Sequence, residues 1–127
     1  MNGIKNRLLY LASRCAAQGW YDGTSGTPIT TAQVCAFYEQ MLDSGVDFRL
    51  ALIPFVYPTI EGGISFEWDI NKHGVSLEIN LHTGQGYFQE LDFSLPELLF
   101  TEDTYDLNKP EEWERLVKTL ATYEGKL

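Results

Sequence analysis

Basic residues are scarce in this chain. Nine Lys and Arg stand against 18 Asp and Glu, a formal net charge of −9. A protein that grips nucleic acid through its phosphates, or docks on an anionic lipid surface, needs the opposite sign. The composition therefore predicts no direct nucleic-acid binding and no membrane association, and suits a basic protein partner or a metal cation. Cysteine is nearly absent. Cys15 and Cys35 form no Cys-x-x-Cys pair and no zinc spacing. Both fall in predicted helices and are expected to be small buried apolar residues. No apolar run approaches the roughly 20 residues of a membrane span. The first apolar stretch is interrupted by Ser13 and Arg14, unlike a secretory signal, and the expected compartment is the cytoplasm. Nucleophile motifs are lacking: there is no Gly-x-Ser-x-Gly and no Ser-x-x-Lys. There is no Asp-x-Asp-x-Asp loop, no His pair at i, i+4, and no glycine run followed by Lys-Ser or Lys-Thr. No cofactor is implied, and the reading favours a protein that is not an enzyme.

Apolar residues are plentiful at 44%, with 13% aromatic, enough for one domain spanning residues 1–127. Ile4, Leu8, Leu11, Ala12 and Cys15 recur at helical spacing and predict a helix over 2–18, with Gly19 at its end. A glycine-rich loop follows, in which Trp20 and Tyr21 are read as anchors beside Asp22. Thr30 and Gln33 make a capping box for a second helix over 31–44, buried through Val34, Phe37, Tyr38, Met41 and Leu42 and ended by Gly45. Residues 52–57 suggest an edge strand before Pro58. Period-two alternation marks Ile64, Phe66, Trp68 and Ile70, then Val75, Leu77, Ile79 and Leu81. Residues 71–74 are the expected turn between these strands. A turn at 83–85 leads into a third strand over 87–93, and 101–108 read as acidic and irregular. Pro110 opens a last helix, with Asn108 as its cap and Trp113, Leu116, Val117 and Leu120 as its apolar face. The fold class is α+β: an N-terminal helical hairpin and a C-terminal helix packed on one face of a three- to four-stranded antiparallel sheet.

With those turn lengths, Ile70 lies opposite Val75 and Leu77 opposite Leu91. Glu67, Glu78 and Glu90 then form a row on the exposed face, flanked by Asp69 and Asp92, with Phe88 pointing outward among them. Like charges opposed across strands cost up to about 1 kcal/mol per pair, so such a ridge suggests a binding surface for something cationic. The leading expectation is a non-enzymatic partner-binding protein of the antitoxin, immunity or phage-inhibitor kind. Its partner would be basic, such as a nucleic-acid-binding enzyme approached by mimicry. Two alternatives stand beside it. One is a small metal-dependent enzyme using Glu67, Glu78 and Glu90 near Asn80 or His82. The other is a homo-oligomer formed through the uncovered sheet or Phe88. His73 and His82 are read as ordinary surface residues.

Several motifs occur together: Gly19-Trp20 with Asp22-Gly23, Pro28, the turn Pro58-Thr59-Ile60-Glu61-Gly62-Gly63-Ile64, Glu67-Trp68 and Leu77-Glu78-Ile79. In this the chain resembles a group of small bacterial and phage proteins of unassigned function. The likeness covers roughly residues 1 to 82, and Tyr21 stands between the Trp and Asp that are adjacent in the group. It implies a bacterial or phage origin and the order helix, helix, meander, and brings no activity with it.

Overall fold

A computed structural model describes residues 2–21, 23, 26–44, 54–70, 72–93 and 99–124. The elements are α1 (Asn2–Arg14), α2 (Thr31–Asp43), β1 (Phe55–Thr59), β2 (Gly63–Ile70), β3 (His73–Asn80), β4 (Gln85–Asp92), β5 (Leu99–Asp106) and α3 (Pro110–Glu124). The strands form one antiparallel sheet in the order β1-β2-β3-β4-β5, five strands where three or four were expected.

The helices form where apolar spacing and caps agree. In α1 the stripe Ile4, Leu8, Leu11, Ala12 is buried, with Cys15 just beyond. The helix ends four residues earlier than the pattern suggests. The Cys15 carbonyl accepts from Ile29 N–H at 2.8 Å, and Gly19 (φ 76°) donates to the Gly26 carbonyl at 2.8 Å. These loop bonds take the groups a longer helix would use. Trp20 anchors the loop as expected: its Nε1 donates to the Thr27 carbonyl at 2.8 Å. Its ring lies where a Cβ on Gly26 would stand, at 2.9 Å, while Tyr21 is exposed. The Thr30–Gln33 capping box opens α2. Val34, Phe37, Tyr38 and Met41 are buried, but Leu42 is exposed. Cys35 is also exposed, so only Cys15 is the buried cysteine expected. The expected stop at Gly45 lies outside the described residues. At α3, Asn108 is not the cap. Its Nδ2 donates to the Thr83 carbonyl at 2.8 Å and to Asp106 at 3.0 Å, tying the helix entrance to the β3–β4 turn.

One face of the sheet carries the core. Val56, Ile64, Phe66, Trp68, Val75, Leu77, Ile79, Phe88 and Tyr105 are buried on it together with the helical stripes. Phe37 of α2 meets both Phe66 and Trp113 of α3, with ring centroids 6.0 Å apart in each pair. Tyr123 of α3 meets Phe88 at 6.2 Å.

The register departs from expectation at both hairpins. Ile70 pairs with His73 rather than Val75, and Lys72 before it takes φ 66°. Gly74 is a strand residue opposite Asp69. The Phe93 ring lies 3.4 Å from where its Cβ would be, so a glycine that resembles a turn residue is instead a place to pack. This two-residue slip preserves the faces of β2 and β3. The second slip does not. The side chain of Asn80 accepts from His82 N–H at 2.8 Å and Thr83 N–H at 3.1 Å, and Gly84 at φ 77° returns its N–H to the Asn80 carbonyl. The turn is therefore 81–84, and Leu77 pairs with Phe88 rather than Leu91. An odd shift of three reverses β4.

The β5 segment was expected to be irregular. Its Thr101 to Thr104 run is exposed, and long-range contacts hold the strand. The Arg115 guanidinium lies 3.9 Å from the Tyr105 ring centroid and pairs with Asp103. The Tyr105 hydroxyl bonds Thr119 at 3.0 Å.

His82 ties four segments together. Its Nε2–H donates to the Pro28 carbonyl at 3.1 Å and its Nδ1 accepts from Gln33 Nε2 at 3.1 Å. Its ring also sits 2.7 Å from where a Cβ on Gly62 (φ 85°) would stand. Gly62→Ala is expected to destabilise the fold by about 1–3 kcal/mol, through backbone strain and collision with the ring. Urea denaturation checks this, and adding His82→Ala should recover the steric part only. An unchanged midpoint in Gly62→Ala would contradict the arrangement.

Candidate functional site: the open face of the sheet

The five strands contain eight acids, Glu67, Asp69, Glu78, Glu90, Asp92, Glu102, Asp103 and Asp106, and no Lys or Arg. Register decides which face each one takes. Rungs on the open face read Phe55-Glu67-Ser76-Gln89-Glu102 and Tyr57-Ser65-Glu78-Tyr87-Thr104, with Asp69-Gly74-Leu91-Phe100 beyond them. Glu67, Asp69 and Glu78 therefore share this face, as expected. Glu67 faces Ser76 and Glu78 faces Ser65, so no carboxylate directly opposes another across β2 and β3.

Glu90, Asp92 and Phe88 are not on this face. Phe88 is 5% exposed and lies in the core, so it cannot serve as the outward contact expected of it. Glu90 and Asp92 point to the helix side, opposite Val75 and His73. His73 Nδ1 donates to Glu90 Oε1 at 2.7 Å and stands 3.9 Å from Asp92. The Tyr123 hydroxyl donates to the other Glu90 oxygen at 2.5 Å. The row Glu67-Glu78-Glu90 does not exist. The metal-enzyme alternative thereby loses its ligand set, and no cluster of three or more His, Cys, Asp or Glu suited to a metal occurs among the described residues. The oligomer alternative loses Phe88 as its contact.

The reversal has an energetic logic. By apolar alternation alone, Tyr87, Leu91 and Phe93 would turn inward and Glu90 and Asp92 outward. The observed face buries Phe88, worth about 1.5–3 kcal/mol. Hydrogen bonds to the Glu90 carboxylate, each on the order of 1.5–3 kcal/mol, offset its desolvation. Gly86 leaves room beside Leu107, whose Cδ1 lies 3.4 Å from where a Cβ would stand.

The consequence appears on the open face. Phe93 is 57% exposed and Phe100 50%, and Phe55 and Tyr57 are exposed on the opposite side. Between them the β2 and β3 positions are small: Gly63, Ser65, Gly74 and Ser76. Aromatic walls thus flank a low floor from which Glu67, Asp69 and Glu78 rise. Two shallow depressions form in it, about 250 Å³ beside Phe55, Glu67, Asp69 and Leu91, and about 360 Å³ beside Glu61, Glu78, Tyr87 and Thr104. No ion pair joins Glu67, Asp69 or Glu78 to a base among the described residues. The Tyr87 hydroxyl donates to Glu102. That bond holds its pKa above the ordinary tyrosine value, with the charges of Glu102 and Glu78 adding to the effect. The apolar members of this face on β4 and just beyond it escaped sequence reading because Leu91 and Phe93 look like core. The signal available was that Glu90 and Asp92 share their parity with Phe88.

Burial, and then the bond to Glu90, raise the Tyr123 pKa. A raised folded pKa means stability that is complete below the unfolded tyrosine value of 10.0 and is lost as pH rises above it. Wild type is expected to lose stability above pH 10 more steeply than Tyr123→Phe, by up to about 1.4 kcal/mol per pH unit. Denaturation midpoints across that range check it, and parallel curves would contradict it. No helix among the described residues is long and apolar enough to cross a membrane. No protein-family model, curated protein or solved structure matches this chain, and the chemistry of the face rests on its own residues.

Proposed function

We propose that this protein is a non-enzymatic binding module whose open sheet face captures a basic protein segment. One observation carries the reading. β4 presents Leu91 outward and, just beyond the strand, Phe93 lies exposed over Gly74, while Glu90 is turned towards the helices. Exposed apolar groups set among carboxylates without ion pairs suit a binding surface. Aromatic and carboxylate groups together suit Arg and Lys side chains, whose stems rest on rings while their charges meet carboxylates. Sheet-to-sheet homodimerisation is disfavoured, because stacking two such faces opposes acid to acid with no base to separate them. A basic protein that ordinarily grips phosphate fits this chemistry, and an antitoxin, immunity or inhibitor role in the cytoplasm is the biological class we infer.

A fluorescent octapeptide of alternating Arg and Val tests this by anisotropy. Binding is expected, weaker as salt rises. Glu67→Gln, Glu78→Gln and Glu102→Gln together are expected to weaken it about tenfold or more, a change of about 1.4 kcal/mol. Glu39→Gln, Glu111→Gln and Glu114→Gln together, an equal charge change on exposed helix surface, are expected to leave it nearly unchanged. Equal losses in both variants would mean that net charge attracts the peptide and that the face does not bind it.

A further inference from the structure

The two edges of the sheet differ in what they offer another strand. Pro58 has no N–H and lies within β1, so its position must face away from β2. Val56, two residues earlier, shares that parity, and its carbonyl accepts from Arg7 Nε at 3.1 Å. Pro54, again two residues earlier, also lacks an N–H. Prolines and an arginine therefore close the β1 edge to strand addition.

The β5 edge is closed over only half its length. The Asp106 N–H donates to Glu112 at 3.3 Å and the Thr104 carbonyl accepts from Arg115 at 2.5 Å. These bonds to α3 establish that even-numbered β5 residues face away from β4. The Thr104 N–H is taken by the Asp103 side chain at 2.8 Å. Two residues on, the cover stops. Among the described residues, the outward backbone N–H and C=O groups of Glu102 and Phe100 have no partner. A buried or paired edge is the rule, and an open one is a template for another chain.

We propose that the free half of β5, Leu99–Asp103, receives an extended basic segment of the partner as a sixth strand. The charge of this occupant rests on the function proposed above. The backbone groups of Phe100 and Glu102 supply the ladder. Alternate side chains of the added strand then lie on the open face beside Phe100 and Glu102. There an Arg or Lys meets a carboxylate already oriented by the Tyr87 hydroxyl. A second copy of this chain is a poorer occupant, since edge-to-edge pairing joins two sheets whose strands hold only acids as charged residues beside His73.

The test uses the Arg-Val octapeptide and the same peptide with every backbone amide N-methylated, followed by anisotropy and by amide shifts in NMR. The parent peptide is expected to shift the Phe100 and Glu102 amides, and methylation is expected to weaken it at least about tenfold. Glu102→Pro, which removes one edge N–H, should lose more than Glu102→Gln, which removes only the charge. Equal binding of both peptides, with shifts on β2 and β3, would overturn the edge proposal and leave the acidic-face reading standing. Failure of both peptides to bind would overturn both. Concentration-dependent doubling in light scattering, with the same amides shifting, would assign the edge to a second copy and overturn the proposal.

Discussion

The Asn80 side chain accepts hydrogen bonds from the backbones of His82 and Thr83, and the orientation of β4 depends on that turn. A turn one residue shorter or longer would reverse every side chain from Gly86 to Asp92. With the turn as it is, Phe88 enters the core against Tyr105 and Tyr123. Glu90 comes within reach of His73 and Tyr123, and Leu91 and Phe93 are left outward. The turn is itself braced, since Asn108 fills the space beside Gly84 and the His82 ring reaches Pro28 and Gln33. The loop after α1, the start of α2 and the entrance to α3 thus converge on one corner of the sheet.

The open face follows from the same constraint. Glu67, Asp69 and Glu78 have no base paired with them among the described residues, and the arginines that engage the sheet are used elsewhere. Arg7 binds a β1 carbonyl, and Arg115 serves Asp103, Glu112 and Thr104. The hydrogen bond to Arg115 and then that to the Asp106 backbone hold the Glu112 carboxyl below its usual range. One residue thereby braces half of the β5 edge and leaves the other half open. The two faces differ in how they hold their carboxylates: on the helix side Glu90 is satisfied by His73 and Tyr123, and on the open side Glu67, Asp69 and Glu78 have no ion pair among the described residues.

Much of the scaffold was legible in the sequence. The Thr30–Gln33 box, the stripe from Ile4 to Ala12 and the alternation from Ile64 to Ile79 are short-range signals, and each formed. What was not legible depends on distant partners. The pull of Leu91 and Phe93 towards the core is real, but it is outweighed by His73 from β3 and Tyr123 from α3, neither of which is near β4 in sequence. Glu102 and Asp103 at the centre of β5 have poor intrinsic strand character, and the strand is held by Arg115 and Tyr105. Of the expected site, Glu67, Asp69 and Glu78 share the open face because a slip of two preserves parity. Glu90, Asp92 and Phe88 left it because a slip of three does not.

Cross-strand NOEs between β3 and β4 test the account most directly. It requires contacts pairing Leu77 with Phe88, together with ring contacts between Phe88 and Tyr123. NOEs pairing Leu77 with Leu91, with Leu91 or Phe93 protons close to those of α3, would contradict it.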